Sequence, residues 1–250
     1  MLRIDDLDTL RCPPGVTDQI LRQLEAYALT WDGQPMLQSA HLAVYEQAQQ
    51  QLAALGTLYP CDCTRAAVRS RMAGREGSYD QHCWTQPHSL ARQPAIRLAL
   101  DDDLLPWHDQ CLGPQQPSRR ALGDPVVWRR DGVPGYALAC AVDEWTMGIT
   151  EVVRGADLVS ETAAQVQVTR LLKQPLPQYR HTPLVMDDSG RKMSKQNHAA
   201  ALPMKAAEMS AVMLRTLGRL GQPAPAMLQG ASPSEILEWA LAAGVHTTAG

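Results

Sequence analysis

The sequence predicts an α/β fold that is interrupted by an irregular, cysteine-bearing insert and closed by a short helical region. Three observations carry this. A strand-like start leads into two segments of helical period; residues 57–125 lose that regularity and gather cysteines and prolines; strand and helix patterns resume after residue 125. The resulting organisation is a first part of the core over 1–56, an inserted module over 57–125, a second part of the core over 126–190, and a basic loop with a helical C-terminal region over 191–250.

Residues 2–7, LRIDDL, read as a short strand running into an acidic turn. In TDQILRQLEAYALTWDG, apolar Ile20, Leu21, Leu24 and Ala28 recur at helical spacing, with Thr17 as the expected N-cap and Gly33 as the stop. A second helix is predicted from Ser39, carrying Leu42, Tyr45, Leu52 and Leu55 and ending at Gly56. AIRLAL, 95–100, is a strand inside the insert. PVVWRR, the turn DGVPG and YALACAV together suggest a hairpin-like pair. GITEVVRG is a further strand, and SETAAQVQVTRLLKQ is a helix with a capping-box-like opening at Ser160. QYRHTPLVM, 178–186, is a strand leading into the loop SGRKMSKQNH, and the chain from about 203 onward is Ala/Leu-rich and helical.

The 250 residues are 45% hydrophobic and 20% charged with a formal net charge of −3, the composition of a globular chain with a real core. No apolar run approaches the roughly 20 residues that span a bilayer. The N-terminus, MLRIDDLDTL, lacks the apolar stretch of a secretory signal, so a cytoplasmic protein with no membrane partner is expected. The acidic total gives no general reason to bind nucleic acid, and any polyanion site must be local. Arg65, Arg69, Arg71 and Arg75, then Arg119/Arg120 and Arg129/Arg130, cluster but read as solvated faces.

There are six cysteines. A disulfide framework does not suit a cytosolic chain of this size, so their clustering points to a metal. Cys61 and Cys63 stand in YPCDCT and Cys83 follows in YDQHC. Two thiolates two residues apart can clasp one tetrahedral Zn²⁺, a distant third can close the site, and soft ligands favour zinc over magnesium or calcium. Reduced packing cysteines are the alternative. For the fourth ligand, His82 is the ordinary chemical choice and Tyr79, as a phenolate, the unusual one. Cys12, Cys111 and Cys140 have no such neighbours and read as packing residues.

The chain writes its positive charge as arginine; its lysines are only Lys173, Lys192, Lys195 and Lys205. Lys192 and Lys195 share the Gly-flanked loop, a placement suited to negative charge developing on a phosphoryl or nucleotidyl group. RKMSKQNH resembles the KMSKS motif of class I aminoacyl-tRNA synthetases. LRIDDLDTLRCPPG, LTWDG, YPCDCTR…YDQHC, GYALACAVDE, GITEVVRGADL and KMSKQNHAAAL follow one another as in the glutamyl-tRNA synthetase group. The short C-terminus and the KQN continuation are similar to its short branch, the glutamyl-queuosine tRNA(Asp) synthetases. The resemblance covers most of residues 1–202.

The resemblance implies a class I Rossmann-type catalytic core with an inserted zinc-bearing module. It also implies glutamate activation by ATP, with Mg²⁺, and transfer of the glutamyl group to the queuosine base of tRNA(Asp). It makes Lys195 the ATP-contacting lysine with Lys192 in support, and Arg154 the arginine for a substrate carboxylate. Tyr136 then lines the glutamate pocket. Asp5 falls where the family has a glutamate reading the substrate amino group, one methylene shorter. Cys61, Cys63, Tyr79 and Cys83 match the family's zinc set, which favours Tyr79 over His82. A monomer is expected. In this family a HIGH-like segment precedes the first strand, and none occurs in these residues, so the core is read as N-terminally incomplete. Met1 is expected to be internal to a longer product; without that segment the first sheet is expected to be destabilised. A shortened paralogue that binds zinc and tRNA without catalysis, a fragment of a glutamyl-tRNA synthetase, and a split enzyme are the alternatives.

Overall fold

The computed structural model describes residues 1–9, 12–74, 78–86, 92–104, 106–186 and 202–244. The chain forms two compact units, Met1–Leu37 with Met186–Gly250, and Gln38–Val185. The insert read over 57–125 lies wholly inside the second unit.

The first unit opens with β1 (Arg3–Ile4), α1 (Val16–Ala26) and β2 (Met36–Leu37), and β1 pairs in parallel with β2 through Arg3↔Met36 and Ile4↔Leu37. Helix α1 begins ahead of the expected Thr17 cap. Gly15 takes φ 85 after Pro13–Pro14, and the Val16 amide bonds the Pro13 carbonyl, so a backbone turn starts the helix and Thr17 lies within it.

In the second unit a 3₁₀ turn (Gln38–His41) feeds α2 (Leu42–Ala54), which stops before Gly56 at φ 71 as expected. Next come β3 (Leu58–Cys61), α3 (Arg65–Met72), α4 (His82–Thr85) and β4 (Ala95–Leu98). After them stand β5 (Trp107–Asp109), β6 (Gly113–Gln115), α5 (Arg119–Leu122) and β7 (Val126–Trp128). The unit ends with α6 (Tyr136–Thr146), β8 (Glu151–Gly155), α7 (Val159–Leu171) and β9 (Gln178–Thr182). Its sheets run β3-β4-β7, antiparallel, and β6-β5-β9-β8, in which β5, β9 and β8 are parallel.

The expected hairpin fails at YALACAV, which is the start of helix α6. Residues Ala137 to Glu144 are all buried, so the helix has no polar face and no helical contrast in its sequence. Asp143, 1% exposed, accepts hydrogen bonds from Gln38 Nε2 and Tyr45 Oη, both 2.7 Å, and ties α6 to the start of the unit. Helix α7 likewise starts one residue early. The 3₁₀ turn Ala156–Leu158 runs directly into it, and no side chain caps it, so the expected Ser160 capping box is not formed.

The chain returns to the first unit with α8 (Ala206–Arg219) and α9 (Pro233–Ala242). Leu217, Ile236 and Ala240 form their shared core, and Ser232 and Glu235 make a reciprocal capping box at α9. Among the described residues no helix is long and apolar enough to cross a membrane.

Candidate functional site

The turn after β3 and the short helix α4 bring the distant cysteines together. Cys61 ends the strand, Cys63 lies just beyond it, and Cys83 sits on α4; their sulfurs lie within 4.8 Å of one another. Cys63 Sγ is 3.4 Å from Cys83 Sγ, and Cys83 Sγ is 3.7 Å from Cys61 Sγ. A tetrahedral ion with sulfur arms of about 2.3 Å has edges of about 3.8 Å, so the thiols stand close to ligand spacing. Tyr79 Oη lies 3.4 Å from Cys61 Sγ and accepts the Cys83 amide at 3.3 Å. His82 is not among the ligand groups that converge. The donor set of three soft sulfurs with one oxygen at the open side fits a zinc-type ion.

The electrostatics suit a metal as well. Burial raises the Cys61 thiol, but hydrogen bonds from Tyr79 and Arg97 outweigh it and bring it to about 7. Burial pushes Cys83 up to about 11 and holds the Tyr79 phenol above its ordinary value. Arg97 lies 3.9 Å over the Tyr79 ring, and Arg71 Nη2 donates to Cys63 Sγ at 3.3 Å while its Nε bonds Asp80 at 2.6 Å. Arg130 Nη2 donates to the Cys63 carbonyl at 2.7 Å. These cations offset the excess negative charge that three thiolates place around a divalent ion. Arg71 and Arg130 are thus not the solvated residues the sequence suggested.

Behind this knuckle stands Asp124, 1% exposed, which accepts from Tyr59 Oη at 2.6 Å, Gln81 Nε2 at 2.9 Å and the Leu100 amide at 3.2 Å. Sequence reasoning missed Asp80, Arg97 and Asp124. Their only local signals are an acid between Tyr79 and Cys83, an arginine inside a strand pattern, and an aspartate before Pro125.

A second polar centre lies where α7 covers the parallel sheet. Arg154 on β8 is in register with His181 on β9. Its Nη2 donates to Thr162 Oγ1 and to Gln165 Oε1, 2.5 Å each, and its Cζ stands 5.6 Å from the Tyr179 ring. The buried Nε has no partner, and Nη1 makes no hydrogen bond among the described residues. Among the described residues Arg154 is therefore held through Nη2. Tyr136 is the first residue of α6 and is 39% exposed. In the first unit, Asp5 accepts from Arg3 Nε at 2.6 Å. Lys192 and Lys195 lie outside the described residues. Cys140 is buried as a packing residue, and Cys12 and Cys111 are half-buried.

Residues 1–238 match the family of class I tRNA synthetases (E and Q), catalytic domain. The chain belongs to this family. As a class I synthetase catalytic domain it is a member of a family of ligases. It is 42% identical over 243 residues to the glutamyl-Q tRNA(Asp) synthetase of Thiobacillus denitrificans, covering 96% of this chain and 80% of the relative. It is 38% identical over 242 residues to the Escherichia coli K12 protein of the same name, covering 96% and 76%. The fold matches glutamate-tRNA synthetase from Elizabethkingia anophelis with a TM-score of 0.75 at 22% identity, over 95% of this chain and 58% of that one. The likeness to that solved structure is one of fold, and the synthetase domain spans less than two thirds of it.

Proposed function

We propose that the chain activates glutamate with ATP as glutamyl-adenylate and transfers the glutamyl group to the queuosine base of tRNA(Asp). One observation carries this reading: relatives named glutamyl-Q tRNA(Asp) synthetase are 42% and 38% identical across 96% of the chain. In the first step the glutamate carboxylate attacks the α-phosphate of ATP and pyrophosphate leaves. In the second, a hydroxyl of the queuosine cyclopentene-diol attacks the mixed anhydride and AMP leaves.

The roles are those the family resemblance implies. Arg154, whose Nη2 is held by Thr162 and Gln165, takes a carboxylate of glutamate; Tyr136 lines the glutamate pocket, and Asp5 reads the amino group. Lys195, supported by Lys192, contacts ATP, whose charge Mg²⁺ shares. Cys61, Cys63, Tyr79 and Cys83 hold one zinc ion that pins the β3 end to α4, a structural role in a closed ligand set. The protein acts in the cytoplasm as a monomer.

The test supplies labelled glutamate and ATP with tRNA from queuosine-replete and queuosine-deficient cells. Label is expected only in replete tRNA, on tRNA(Asp), and equal labelling of both pools would sink the proposal.

A further inference from the structure

We propose that the buried pair Asp109–His181 is a positioning device for Arg154, acting through the hydroxyl of Thr162. The inference rests on Arg154 as the glutamate-binding arginine. Asp109 and His181 are both 0% exposed, yet neither is among the residues that touch substrate in the reading above. Two ionisable side chains are not removed from water without a compensating arrangement, and here that arrangement leads directly to Arg154.

The chain of contacts is continuous. Asp109 Oδ1 accepts the amides of Cys111 and Leu112, both at 2.9 Å. Asp109 Oδ2 lies 2.6 Å from His181 Nδ1. Burial raises the Asp109 carboxyl, but the hydrogen bonds from His181 and from the Leu112 and Cys111 amides outweigh it and hold it below its ordinary value. An ionised Asp109 can only accept, so His181 Nδ1 carries hydrogen. On the far side of the ring, His181 Nε2 and the Leu158 carbonyl each lie 2.8 Å from Thr162 Oγ1. That oxygen is the acceptor for Arg154 Nη2.

A hydroxyl has one hydrogen and two lone pairs. Whether its hydrogen goes to Leu158 or to His181, at least one lone pair remains for Arg154. His181 and the Leu158 carbonyl together fix the Thr162 rotamer, and Gln165 Oε1 takes the other Nη2 hydrogen. With both Nη2 hydrogens engaged, the guanidinium cannot swing, and Nη1 makes no hydrogen bond among the described residues. A carboxylate then meets an arginine whose orientation is set before binding. Thr162, His181 and Asp109 are positioning residues, because they act through Arg154.

Steady-state ATP–pyrophosphate exchange and glutamate binding by calorimetry, on Thr162→Val, Thr162→Ser, His181→Asn and Arg154→Lys, test this. Valine keeps the outline of Thr162 but removes a buried hydroxyl, so unfolding midpoints are measured on every variant, and Thr162→Ser, which keeps the hydroxyl, separates a lost hydrogen bond from a lost fold. The expected result for Thr162→Val is a rise in glutamate KM and Kd on the order of tenfold, with kcat and the KM for ATP little changed. Thr162→Ser restores both glutamate constants. Unmoved glutamate constants in Thr162→Val, alongside raised ones in Arg154→Lys, overturn the positioning role and leave the glutamate reading intact. Unmoved constants in Arg154→Lys overturn the glutamate reading itself and the inference with it. A loss in Thr162→Val that falls equally on kcat and on both KM values, unrescued by serine, also overturns it.

Discussion

The phenolic oxygen of Tyr79 stands 3.4 Å from Cys61 Sγ, where an oxygen ligand would complete the three sulfurs. Tyr79→Phe removes that oxygen while keeping the ring under Arg97. Zinc affinity, read by competition with a chromophoric chelator, is expected to fall on the order of 10- to 100-fold. His82→Ala, whose ring is not among the converging ligand groups, leaves it within about twofold of the unaltered protein. Loss of zinc in His82→Ala with none in Tyr79→Phe would reverse the assignment.

Zinc binding by this site is expected to strengthen with rising pH. Thiolates, not thiols, bind zinc, so metal competes with protons. Cys83, at about 11, is protonated throughout the physiological range, and Cys61, at about 7, is partly so near neutrality. Binding at pH 7 therefore releases protons, and lowering the pH through 7 adds the Cys61 proton to those that zinc must displace. Calorimetric titrations in buffers of different ionisation enthalpy count the protons; no release at pH 7 would contradict the ligand set.

The cysteine cluster was legible in the sequence because its members fall in two short stretches: Cys61 and Cys63 at the end of β3, and Tyr79 and Cys83 at α4. The groups that tune it were not, because Arg97 arrives from β4 and only tertiary packing sets it over Tyr79. The same limit explains YALACAV. Periodicity reveals an element through contrast between its faces, and α6 is buried from Ala137 to Glu144. Its buried acid, Asp143, looks like a surface charge until Gln38 and Tyr45 are folded against it. Arg154 enters as a candidate only through the family resemblance, since no local pattern distinguishes it from a strand-edge cation.

That buried acid makes a stability prediction. Asp143→Ala leaves the Gln38 amide and the Tyr45 hydroxyl without their shared acceptor inside the second unit. Each stranded donor costs about 1–3 kcal/mol, so a loss of about 3 kcal/mol is expected, against about 1 kcal/mol for Tyr45→Phe. Denaturant midpoints at unchanged slope give the comparison. A cost for Asp143→Ala no larger than that for Tyr45→Phe would show that the carboxylate is not the anchor.

Gly135 ties the start of this helix to β7. It is the residue before Tyr136, and its amide donates to the Val127 carbonyl at 2.8 Å as the chain passes over β7. A methyl group there would overlap the Val126 carbonyl oxygen and press on the Val127 backbone at 3.2 Å. Backbone atoms cannot turn aside as a side chain can, so the first turn of α6 must lift from the strand. Gly135→Ala is expected to cost about 3 kcal/mol or more in stability. In whatever fraction remains folded, Tyr136 is displaced and glutamate binding weakens, while zinc content, set by β3 and α4, stays at that of the unaltered protein. Differential scanning calorimetry, metal analysis and glutamate titration on the same preparation separate these effects. Full stability in Gly135→Ala would mean that the strand–helix contact yields, and the placement of Tyr136 by it would fail.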